Sequence, residues 1–82
     1  MLFYVYIILS SGNNKTYVGH TDNLVRRLKE HNSGKSIYTK KYNDWSFLHT
    51  ESFKTEQETI VKEKYFKSRA GRMWIKKNLF HK

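Results

Sequence analysis

Five side chains in this chain could act together on a phosphate group: Tyr6, Tyr17, Arg27, His31 and Glu63. Arg27 and His31 lie four residues apart in "TDNLVRRLKEHNSG", so on a helix they project from one face, one turn apart. An arginine whose stem packs beside the Leu24 and Leu28 seam presents paired N–H donors that suit phosphate oxygens. The simpler alternative, for Arg26 and Arg27 alike, is a solvated helix arginine. His31 titrates near pH 6.5 when unperturbed and can move protons at about neutral pH, or it can serve only to favour the dipole at a helix C-terminus. Glu63 sits between Lys62 and Lys64, one turn after Ile60 and one before Phe66, at the border of an apolar face where a carboxylate is partly sheltered. Such a group can hold a hard divalent ion that keeps several waters and takes further ligands from a substrate phosphate. An i, i+4 ion pair with Lys67 is the alternative that local spacing favours. Tyr6 and Tyr17 fall on neighbouring strands, where packing across the ribbon competes with a chemical role. Gly19 is expected to end its strand and to leave room for a backbone or ligand.

The elements that must position these groups are legible in outline. "FYVYIILSSGNNKTYVGH" reads as two strands rich in Tyr, Val and Ile, joined through "SSGNNK". Thr21 or Asp22 is expected to cap a helix over about residues 22–32, with Leu24 and Leu28 on its apolar face and Gly34 as a left-handed stop. Residues 35–44 read as a loop. "WSFLHTESF", residues 45–53, reads as a third strand that alternates Trp45, Phe47 or Leu48, and Phe53 against polar residues. "TEQE" at 55–58 fits a capping box and precedes Ile60, Val61, Tyr65 and Phe66, which predicts a helix over about 56–67. Ser68 can cap a third helix bearing Ala70, Met73, Trp74, Ile75, Asn78 and Leu79, although Gly71 weakens its first turn by about 1 kcal/mol relative to Ala. The order β-β-α-β-α-α predicts an α+β domain, a small three-stranded antiparallel sheet flanked by helices. No repeat or proline-rich linker divides residues 1–82, which are expected to form one domain.

Composition narrows the function classes. There are no cysteines, which excludes a disulfide framework or a thiolate metal site and favours a cytoplasmic setting. The apolar run at residues 2–9 is far shorter than the roughly 20 residues that span a bilayer, so it reads as a buried strand rather than a membrane anchor. The formal net charge is +9, and residues 61–82 hold most of the excess, with eight Lys or Arg against one Glu. A surface of this kind favours polyanionic partners, because every cation laid on a phosphate releases counterions. Aromatic residues make up 16% of the chain, enough to build part of the core and to stack on bases.

Taken in order, "YVY" at Tyr4–Tyr6, "YVG" at Tyr17–Gly19, an arginine on the next helix and a glutamate, Glu63, within "ETIVKEKYFK" resemble the GIY-YIG nuclease superfamily. The likeness runs through "HNSGK" and "SFLHTESF" and is nearest to small single-domain bacterial members similar to the N-terminal nuclease domain of a bacterial excinuclease, which implies a setting in DNA repair. The first motif lacks a leading glycine, and Val18 replaces an isoleucine in the second. The resemblance implies a metal-dependent endonuclease of low sequence specificity that hydrolyses phosphodiester bonds in DNA, with RNA left open. It also implies Tyr6, Tyr17, Arg27 and His31 as catalytic residues, Glu63 as the ligand of Mg2+ or Mn2+, and no small-molecule cofactor. Lys40, Lys41, Lys67, Arg69, Arg72, Lys76 and Lys77 are then expected to follow the nucleic-acid backbone, with Tyr38 or Trp74 stacking on a base. The alternative is a basic nucleic-acid-binding module that keeps the nuclease fold without turnover.

Overall fold

The structure is a computed structural model that describes residues 1–80; residues 81 and 82, the end of the expected 1–82 domain, lie outside the described residues. Six elements follow one another: β1 (Phe3–Ser10), β2 (Lys15–Thr21), α1 (Leu24–Asn32), β3 (Trp45–Phe53), α2 (Glu56–Lys67) and α3 (Arg69–Leu79). The three strands form one antiparallel sheet in the order β2-β1-β3. This is the α+β arrangement expected from the sequence.

The central strand explains the apolar run. Val5 and Ile7 point to one face, where Phe66 of α2 and Ile75 of α3 complete a buried cluster. Tyr6 and Ile8 point to the other, where they pack with Trp45 and with Leu24 and Leu28 of α1. Both faces of β1 are therefore covered, as a near-continuous apolar strand requires. β3 carries a bulge opposite the Ile7/Ile8 step, so that Ile7 pairs with His49 and Ile8 with Phe47. The inserted residue is Leu48, and its insertion switches which positions face which side. Phe47 then packs beside Tyr6 and Trp45, while Leu48 and Phe53 join the opposite cluster.

Several boundaries differ from expectation for identifiable reasons. The cap of α1 is Asn23, whose side chain accepts from the Arg26 N–H at 3.0 Å; Thr21 remains in β2 and accepts from the Asn23 N–H instead. Gly19 does not end its strand, which runs on to Thr21. The buried side chains of α2 are Thr59 and Phe66, whereas Val61 and Tyr65 are exposed. The expected capping box is present, with Thr55 and Glu58 satisfying one another's backbone N–H groups. Ser68 closes α2 and caps α3: its hydroxyl donates to the Tyr65 carbonyl at 2.5 Å and accepts from the Gly71 N–H at 3.2 Å. The elbow is so tight that a Cβ on Gly71 would lie 1.9 Å from the Tyr65 carbonyl oxygen. That contact explains a glycine in the first turn of a helix. The β1–β2 turn carries Asn14 at φ 54° and is tied down by Asp44, which accepts from the Ser10 hydroxyl at 2.6 Å and the Gly12 N–H at 2.9 Å.

Candidate active site

The site gathers at the β2 edge of the sheet. Tyr6 on β1 pairs with Gly19, and Tyr17 pairs with Ile8, so the two tyrosines sit diagonally on the face covered by α1. They are not directly opposed across the ribbon. A Cβ on Gly19 would stand 2.5 Å from the Tyr6 hydroxyl oxygen and 2.7 Å from Cζ. The space left by the glycine is thus filled by the Tyr6 ring, which crosses β2 there and carries its hydroxyl to the edge.

At that hydroxyl three elements meet. Arg27 of α1 donates from Nε to Tyr6 Oη at 3.2 Å and from Nη1 to Glu30 Oε1 at 2.9 Å. His31, one turn on, is 0% exposed; its Nε2 lies 2.8 Å from Tyr6 Oη and its Nδ1 2.6 Å from Thr39 Oγ1. A guanidinium can only donate, so Tyr6 accepts from Arg27 and gives its own proton to Nε2. That places the imidazole proton on Nδ1, facing Thr39. Burial lowers the His31 pKa to about 4, with the Arg27 charge adding to the effect, so the ring is neutral at pH 7. Burial likewise pushes Tyr6 up to about 12, against the opposing hydrogen bond from Arg27, so Tyr6 keeps its proton. His31 consequently stands one hydrogen bond behind the pocket wall, with no solvent contact of its own.

Glu63 approaches from α2. Residues 56, 59, 63 and 66 form one stripe of that helix, and the buried neighbours Thr59 and Phe66 turn Glu63 towards β2. Its side chain is 19% exposed; Oε1 is hydrogen-bonded to His20 Nδ1, and Oε2 accepts from Lys67 Nζ at 2.6 Å. Burial acts to raise the Glu63 pKa, but the bonds from His20 and Lys67 outweigh it and hold the carboxyl below its ordinary value. The Glu63 charge is also felt at the Tyr6 hydroxyl. The expected Lys67 pair therefore exists, and the same ammonium lies 5.8 Å from the Tyr17 ring centroid, so Lys67 joins the carboxylate to the tyrosine site. His20, Glu30 and Thr39 are contacts that sequence reasoning missed. For His20 a signal existed: strand alternation places it with Val18 on the face that α2 covers, where a polar ring needs a partner.

Two grooves flank the cluster. One, of about 540 Å³, is lined by Tyr17, Lys67, Arg72 and Lys76; the other, of about 360 Å³, by His20, Arg26, Arg27, Glu30 and Glu56. Tyr38 stacks near-parallel on Tyr17, with ring centroids 6.3 Å apart, and remains 81% exposed. Lys40 and Lys41 lie in the same loop, exposed. Arg69 and Lys77 are exposed on α3 outside the lining of either groove. Trp74 is partly buried, with one side packed against His49 and Phe66 at the border of the core.

The GIY-YIG catalytic domain family matches residues 2–78 of the chain. The chain belongs to that family. Its members are nuclease-type domains, and their nucleases generally use a divalent metal. A UPF0213 protein of Bacillus velezensis is 40% identical over 63 residues, 76% of this chain and 64% of the relative. The chain thus matches a little less than two thirds of that relative's length. A UPF0213 protein of Pediococcus pentosaceus is 35% identical over 75 residues, 90% of this chain and 78% of the relative. The solution NMR structure of the UPF0213 protein BH0048 from Bacillus halodurans superposes with a TM-score of 0.54 at 31% identity, covering 92% of this chain and 82% of that one. No helix among the described residues is long and apolar enough to cross a membrane.

Proposed function

We propose that this GIY-YIG domain is a cytoplasmic, metal-dependent endonuclease that hydrolyses phosphodiester bonds in DNA with low sequence specificity. The observation that carries this reading is that Arg27 is hydrogen-bonded to Tyr6 while Glu63 and Tyr17 share the Lys67 ammonium, which draws side chains from four elements together between two grooves. The donor set fits a hard divalent ion. Among the described residues no three His, Cys, Asp or Glu side chains cluster as ligands, so Glu63 supplies one carboxylate and the remaining positions suit water and phosphate oxygens. When bound there, Mg2+ or Mn2+ would offset phosphate charge and acidify a bound water.

The residues of the chain do the rest. Arg27 is held half-buried by Tyr6 and Glu30, so its remaining N–H groups are preorganised towards an oxygen on which charge builds. Tyr17, partly exposed beside Lys67, would act as the phenolate, taking a proton from attacking water and returning to the phenol. Tyr6 stays protonated and orients the site, with His31 fixing its hydroxyl and Thr39 fixing His31. Lys67, Arg72 and Lys76 position the flanking backbone, joined by the loop lysines Lys40 and Lys41.

The test is nicking of DNA by the purified protein. Cleavage is expected with Mg2+ or Mn2+, and it should stop in EDTA and in Glu63→Ala. Cleavage that survives both treatments contradicts the reading. Salt-sensitive DNA binding without cleavage of any substrate identifies instead a binding module on a nuclease fold.

A further inference from the structure

We propose that Lys67 exchanges partners, from the Glu63 carboxylate to a backbone phosphate of the substrate, and thereby couples divalent-ion binding to nucleic-acid binding. The inference rests on the nuclease reading above. Both oxygens of Glu63 are taken: Oε1 by His20 and Oε2 by Lys67 Nζ at 2.6 Å. The carboxylate keeps further lone pairs, but a divalent cation that ligates it lies beside the Lys67 ammonium, and repulsion between the two charges weakens the existing pair. His20 has a short side chain on a strand and is drawn also towards Glu56, whose Oε2 lies 3.8 Å from its Nε2. Lys67 has a flexible four-carbon stem at the last position of α2, and its side chain is half-exposed. Lys67 is the partner free to leave.

Its alternative position is already built. The same side chain lines the groove that holds Tyr17, Arg72 and Lys76, and its ammonium lies 5.8 Å from the Tyr17 ring centroid. Released from Glu63, the ammonium joins two other cations beside the tyrosine, where a phosphate gains from a third. An ion on Glu63 thus frees a DNA contact, and DNA that engages Lys67 frees a ligand for the ion. By linkage the two effects are equal in size.

Mn2+ affinity without DNA, and the affinity of single-stranded and duplex oligonucleotides with and without Ca2+, would be measured for the wild-type chain, Lys67→Met and Lys76→Met. Ca2+ is chosen as a cation that also takes oxygen ligands. In the wild type the ion should strengthen DNA binding. In Lys67→Met the ion should bind about two- to fivefold tighter without DNA, as expected for loss of one competing, partly exposed ion pair, and the gain in DNA affinity on adding the ion should shrink by the same factor, leaving the part the ion makes through phosphate itself. Lys76→Met should weaken DNA binding while keeping that gain. A Lys67→Met protein with unchanged or weaker Mn2+ affinity, or with the full ion-driven gain, overturns the exchange. If the wild type cleaves through Glu63 in that case, the nuclease reading stands alone; a wild type that binds no Mn2+ overturns both.

Discussion

Mild acid should destabilise this protein chiefly through His31. The ring is fully buried and neutral, accepting at Nε2 from Tyr6 and donating at Nδ1 to Thr39. Protonation would set a second donor against Tyr6 and a second positive charge beside Arg27. The pKa falls from 6.5 to about 4 on folding, so between those values the unfolded chain binds the proton and the native one does not. The associated stability is fully present above about pH 6.5 and is lost as pH falls towards 4, amounting to about 2 kcal/mol between pH 7 and pH 5. Urea unfolding of the wild type and of His31→Gln at the two pH values measures it. The variant is less stable throughout, because Tyr6 and Thr39 lose well-placed partners, but its additional loss at pH 5 should be about 2 kcal/mol smaller. Glu63, Glu30 and Asp44, whose pKa values are lowered, withdraw their stabilisation only as pH falls below the ordinary carboxylate range, and they do so in both proteins. Equal losses for the two proteins, or a His31 ring that titrates near its ordinary value by NMR, would refute the buried relay.

Gly19→Ala should drive the Tyr6 ring out of its place, costing about 1–3 kcal/mol in thermal or chemical unfolding and lowering cleavage together with stability. Gly71→Ala should destabilise by more than about 2 kcal/mol despite the better helix propensity of alanine, because the new methyl meets backbone at 1.9 and 2.6 Å. Arg27→Lys keeps the charge but loses the fork that spans Tyr6 and Glu30; cleavage should fall at least about tenfold while folding stability changes by about 1 kcal/mol or less. Asn23→Ala removes the cap of α1 and should cost about 1 kcal/mol in urea unfolding without altering metal dependence.

The parts of the site that could be read from sequence are those in which local pattern and chemistry agree. Tyr17 and Gly19 stand on an alternating strand, Arg27 on a short amphipathic helix, and Glu63 among lysines at the edge of an apolar stripe. The order of elements followed from turn residues, caps and periodicity for the same reason. What was hidden depends on contacts between elements. Whether Phe47 or Leu48 faces the core is undecided by alternation, because one inserted residue sends the two to opposite faces. The buried stripe of α2 runs through the small polar Thr59, so hydrophobicity alone selected Val61 and Tyr65, which are exposed. Gly71 looked like a weakness of α3 until the elbow at Ser68 brought the Tyr65 carbonyl against it. His31 looked like a candidate for proton exchange with substrate, and only the buried Thr39 across a loop shows it to be held behind Tyr6.

The most direct test of the central claim is a crystal structure with Mn2+, the ion located by its anomalous scattering. One ion is expected on Glu63 at about 2.1 Å, on the side of the carboxylate that faces Tyr17 and Arg27, with Lys67 displaced. An ion bound elsewhere, with Glu63 still held by both His20 and Lys67, would contradict the claim.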